Sequence, residues 1–66
     1  MRLKELIGKP FEEAANILLS NQWKEEEHDQ WQYAYSRRHA WIWVTIGVQD
    51  GHEVVSRVHP PHLKID

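Results

Sequence analysis

The chain has 66 residues, no cysteine, eight basic and ten acidic side chains and a formal net charge of −2. That length leaves room for one domain, near the lower limit at which a single core offsets the entropy of folding, and the missing cysteines exclude thiol catalysis, thiolate metal centres and disulfide support. The slightly acidic balance excludes the whole-molecule field that draws a protein onto nucleic acid.

In chain order, residues 2–7 (RLKELI) predict a short helical turn with Leu3, Leu6 and Ile7 on one side, stopped by Gly8-Lys9-Pro10. Pro10 at the first helical position, with Glu12 and Glu13 in the first turn, marks the start of a second helix. Its apolar stripe is Phe11, Ala14, Ala15, Leu18 and Leu19, about three turns long, and Ser20-Asn21-Gln22 ends it. Trp23 is expected to fold beneath the helix end. Residues 23–27 then read as a short acidic edge strand, and residues 30–36 as a strand with Trp31, Tyr33 and Tyr35 on one face. Arg37-Arg38-His39 forms a basic turn into a long strand, 40–48, which returns as strand 53–59. Pro60-Pro61 closes the ladder, because proline lacks the amide donor, and the tail is expected to run off extended.

Asp50-Gly51 between two β-branched runs is a strong hairpin signal. Two registers compete. A type I turn with a bulge at Gly51 sets Ile46 against Val54, Val44 against Ser56 and Ile42 against Val58. A tight two-residue turn sets Val44 against Arg57 and Ile42 against His59, with charge in the apolar row. The first is therefore expected, and it sends Trp41, Trp43, Thr45, Val55, Arg57 and His59 to the opposite face.

These elements predict an α+β fold in which one or two N-terminal helices pack on one face of a three- to four-stranded antiparallel β-meander. The whole chain, 1–66, reads as one domain, helical over 2–21, sheet over 23–59 and an extended tail over 60–66. No apolar run reaches membrane-spanning length, and Arg2 and Lys4 lead into Gly8-Lys9-Pro10 rather than into a signal-peptide core, so a cytoplasmic protein without membrane contact is expected.

The second sheet face carries more indole than a wetted surface ordinarily does. Trp41 and Trp43 are candidate anchors for a protein partner, Arg57 and His59 orienting polar groups, and Arg37 and Arg38 rim contacts. Two other fates of the face are a homodimer seam and cover by Leu63 and Ile65 of the tail. The same aromatic and basic mixture is the alternative signal for single-stranded nucleic acid, against which the net charge weighs. His39, His59 and His62 could approach one another around Pro60-Pro61, but no carboxylate stands behind them, so neither metal nor cofactor is expected. No nucleophile elbow or phosphate-cradling loop accompanies Ser20, Ser36 or Ser56, so no enzyme is expected.

The segment Leu6-Ile7-Gly8-Lys9-Pro10-Phe11-Glu12-Glu13-Ala14, followed by Trp31-Gln32-Tyr33, Asp50-Gly51 and Val54-Val55-Ser56, resembles the module of small outer-membrane assembly lipoproteins (SmpA/OmlA) and β-lactamase-inhibitor-type proteins. The likeness spans roughly residues 6–59. It implies short helices on an antiparallel sheet and a role in binding other proteins. Pro10 stands where those families place a Ser or Thr cap, and the lipoprotein cysteine is absent, so membrane anchoring is not implied. Residues 5–19 alone are similar to the start of the potato inhibitor I family of protease inhibitors. Both likenesses imply non-catalytic protein binding. Small chains of this type often serve as inhibitors or adaptors, phage- or mobile-element-encoded ones among them, and such a role is expected here.

Overall fold

A computed structural model describes residues 1–66. A 3-10 turn, Leu3–Leu6, precedes one α-helix, α1 (Phe11–Ser20), and four strands follow: β1 (Lys24–His28), β2 (Gln32–Arg37), β3 (Ala40–Gln49) and β4 (His52–His59). The sheet order is β1-β2-β3-β4, with every neighbouring pair antiparallel. The fold is therefore α+β, with a single full helix on the sheet and a 3-10 turn in place of the first expected helix. That turn brings Leu3 and Leu6 to one side, three residues apart, and both are fully buried, whereas Ile7, expected beside them, is 50% exposed.

Helix α1 presents Ala14 and Leu18 to the core, with Phe11 and Ile17 packed at its margin. Leu19, expected in the stripe, is 53% exposed, and Ile17 takes its role. The helix ends in a Schellman arrangement: the Gln22 amide donates to the Leu19 carbonyl at 3.2 Å and the Trp23 amide to the Leu18 carbonyl at 3.0 Å, with Gln22 at φ 66°. This closure turns Trp23 back under the helix, where it is 2% exposed.

Across the sheet, Tyr35, Ile42, Val44, Ile46, Val55 and Val58 face α1 and form one core with Leu3, Leu6 and Ile65. Trp31 was expected to share the aromatic face of Tyr33 and Tyr35; it precedes β2 and is 45% exposed.

The β3–β4 hairpin corrects the expected register. Asp50 and Gly51 both have positive φ, 53° and 79°, and Gln49 pairs directly with His52, which is the two-residue type I′ turn. Ile46 pairs with Val55, and a shift in register then inserts Ser56, so that Thr45 pairs with Arg57, Val44 with Val58 and Trp43 with His59. The objection to the tight turn was charge opposite Val44; the mid-strand bulge removes it, carrying Val58 into the core and Arg57 out. Val55 thus joins the core instead of the open face. The Ser56 hydroxyl donates to the Thr45 carbonyl at 3.2 Å, and Gly47 leaves room beside it, since a Cβ there would lie 3.2 Å from that of Ser56.

The tail does not run off. Pairing in the sheet stops at His59, as Pro60-Pro61 requires, and the chain then returns to the N-terminal segment. The Leu3 amide donates to Leu63, Lys4 to Pro61 and Ile65 to Met1, all backbone bonds of 2.8–3.0 Å, and Ile65 is buried. The outer edge of β4 is also partly covered, because Gly8 and Lys9 bond to the backbone of Val55 at 2.8 and 3.0 Å.

Candidate functional site

Strand alternation fixes which side chains share the face away from α1. In one cross-sheet row stand Glu27, Ala34, Trp43 and His59; in the next, Gln32, Thr45 and Arg57; in a third, Lys24, Ser36 and Trp41. Asp29 lies at the β1 end of the second row, where its amide donates to the Gln32 carbonyl at 3.0 Å. Its carboxylate Oδ1 accepts from the amides of Trp31 and Gln32, both at 2.9 Å, which fixes that turn.

Trp41 is 49% exposed and Trp43 half-buried. Between them and β1, Ala34 and Ser36 are buried although no helix lies on this side, since small residues on β2 let the larger groups of β1 and β3 close over them. The Ser36 hydroxyl donates to the Glu26 carboxylate, and Glu26 reaches it from a bulge between Glu25 and Glu27. Beside Trp43 is a hollow of about 210 Å³ lined by Glu27, His28, Asp29, Gln32 and Trp43. Sequence reasoning missed the hollow, because it depends on the bulge in β1, which has no local signature.

Of the expected contact residues, Trp41, Trp43, Arg57 and His59 share this face, with Arg57 and His59 exposed. Their pairing differs from expectation by one row: Arg57 stands opposite Thr45 and His59 opposite Trp43. Arg37 does not join them. Its guanidinium lies 4.5 Å from the Trp23 ring centroid and donates to the carbonyls of Asn21 and Ile65, so it clamps the helix end to the tail on the α1 side. Arg38, at φ 58° in the two-residue β2–β3 turn, is exposed at the end of the sheet and lines a cleft with Trp23, His39 and Lys64.

The tail leaves the indoles of β3 uncovered. Leu63 and Ile65 pack with the core on the helix side, and the Ile65 carbonyl accepts the Trp23 Nε1 hydrogen bond at 3.0 Å. No group of three His, Cys, Asp or Glu side chains is placed to hold a metal ion, so His39, His59 and His62 do not converge. No helix is long and apolar enough to cross a membrane. Compared with protein-family models, curated proteins and solved structures, the chain matches none.

Proposed function

We propose that this chain is a small non-catalytic protein-binding module of the cytoplasm that docks a protein through its open sheet face and acts by occluding the surface it covers. The observation that carries this reading is Trp41: a residue that buries a large area at low entropic cost sits half-exposed on a regular strand, beside Trp43, with no element of its own chain above it. Arg57 and His59 orient the contact from β4. Arg38 flanks it at the end of the sheet, and Arg37 contributes only by holding the fold. The likeness to small inhibitor-type modules supports the same class of activity. For single-stranded nucleic acid the face offers Lys24 and Arg57 against Glu26 and Glu27, a poor balance for tracking phosphates.

The test compares wild-type chain with the Trp41→Ala/Trp43→Ala variant as baits in native lysate, circular dichroism confirming that both are folded. A partner bound by the wild type and lost by the variant supports the reading. For the isolated pair, Trp43→Ala should weaken affinity by at least about 2 kcal/mol if the indole is a central anchor. Equal affinity in a folded variant overturns it.

A further inference from the structure

The open face is complementary to itself. Its two central rows each run from acid on the β1 side to base on the β4 side: Glu27–Ala34–Trp43–His59, and Asp29–Gln32–Thr45–Arg57. A half-turn about an axis parallel to the strands, lying between β2 and β3, lays β4 of one copy over β1 of the other while keeping each row at its own level. His59 then falls over Glu27 and Arg57 over Asp29, twice each. A half-turn about an axis across the strands would instead set acid over acid and base over base. The charges therefore select one symmetric, face-to-face arrangement out of two.

The hollow on the face lies where this arrangement needs it. It is lined by Glu27, His28, Asp29, Gln32 and Trp43, with Glu27 and Asp29 at the β1 ends of the same two rows and the His28 ring turned to the other face, where it stacks on Tyr33. That is a seat for a guanidinium: two carboxylates for charge-assisted hydrogen bonds and an indole alongside. Within the single chain neither Glu27, Asp29 nor Arg57 takes part in an ion pair. We infer that the occupant of the open face is a second copy of this chain, paired about a two-fold axis with Arg57 of each copy seated in the hollow beside Trp43 of the other. The inference rests on the docking role proposed for this face and names its partner; another protein would then gain the face by displacing the second copy.

Size sets the strength. Four strands about 4.8 Å apart and six residues rising about 3.3 Å each give a face of roughly 20 Å by 20 Å. That is small beside the roughly 800 Å² per partner of a standard interface, so dissociation constants of micromolar order are expected. Sedimentation equilibrium of the full chain from about 10 μM to about 1 mM, the range for such an affinity, should show the 7.9 kDa monomer passing to twice that mass. Arg57→Glu and Glu27→Arg, both at exposed positions, should each weaken the dimer about 10-fold or more, and Glu27→Arg combined with His59→Glu, which exchanges the charges of one facing pair, should associate more tightly than Glu27→Arg alone.

A wild type that stays monomeric throughout, or a dimer unmoved by both reversals, overturns the pairing. The two readings fail separately. A monomeric wild type that still loses a protein partner on replacement of Trp41 and Trp43 removes the self-pairing and leaves the docking face. A dimer indifferent to both charge reversals and to both indoles removes the face as well.

Discussion

The two faces of the sheet use the same residue types to opposite ends. On the helix side, Trp23 is covered on every quarter: Leu18 closes the helix over it, Arg37 lies on its ring, and its Nε1 is satisfied by the carbonyl of Ile65. On the other side, Trp41 has a strand beneath it and nothing above. An indole contributes to stability through what the chain itself places around it, and to binding through what the chain leaves off. The contrast teaches that the helix, the tail and the N-terminal turn all spend their apolar area on one side, and so define the other as a surface.

Replacing tryptophan on each side tests that contrast most severely. Trp23→Ala should lower unfolding free energy by about 3–5 kcal/mol in denaturant titration, the range for deleting a large buried aromatic. Trp41→Ala should change it by no more than about 1 kcal/mol; equal losses at the two positions would show that the open face is part of the core.

Tyr35, from the α1 face, gives the next effect. Burial first, then Glu25 and Tyr33, push its hydroxyl up to about 12 from the usual 10. The folded chain holds this proton more tightly than the unfolded chain. Its contribution is therefore complete below pH 10 and is lost as the pH rises toward 12, a fall of about 2–3 kcal/mol. Tyr35→Phe should flatten that part of the stability profile. Tyr33 is only half-buried, and Tyr33→Phe should leave most of the fall in place.

The arginines sharpen the same distinction on a smaller scale. Arg37→Met deprives the Asn21 and Ile65 carbonyls of their donor and should cost about 1–3 kcal/mol. Arg57→Met on the open face should cost no more than about 0.5 kcal/mol, as exposed polar positions do. The smallest effect has the opposite sign. Gln22 closes α1 at φ 66°, a conformation in which a Cβ costs about 1 kcal/mol, so Gln22→Gly should raise the melting temperature by a few degrees, less the added entropy of the unfolded chain.

Much of this fold is legible in the residues. The helix beginning after Pro10, the burial of Trp23, the inward Tyr35 and the reversal at Asp50-Gly51 follow from periodicity and turn chemistry within a few residues of each site. The exposure of Trp41 was legible for the same reason, since strand alternation puts Ile42, Val44 and Ile46 on one side and the indoles on the other. Arg37 was less so: nothing near it in sequence announces that the Ile65 carbonyl will need a donor.

Helix α1, the run of strands and the place of the reversal between β3 and β4 were legible along the chain, because each depends on interactions among residues close in sequence. The type of that reversal, two-residue rather than bulged, and the phase of β4 were settled by tertiary packing. Val54 and Val55 are adjacent and equally apolar, so either could enter the core, and the choice fell to a bulge at Ser56 that keeps both Val55 and Val58, three residues apart, against α1. The course of the tail was settled in the same way, by backbone bonds to residues some sixty positions earlier. Pairings of that separation depend on where the rest of the chain has already placed its donors and acceptors, and no local pattern carries that information.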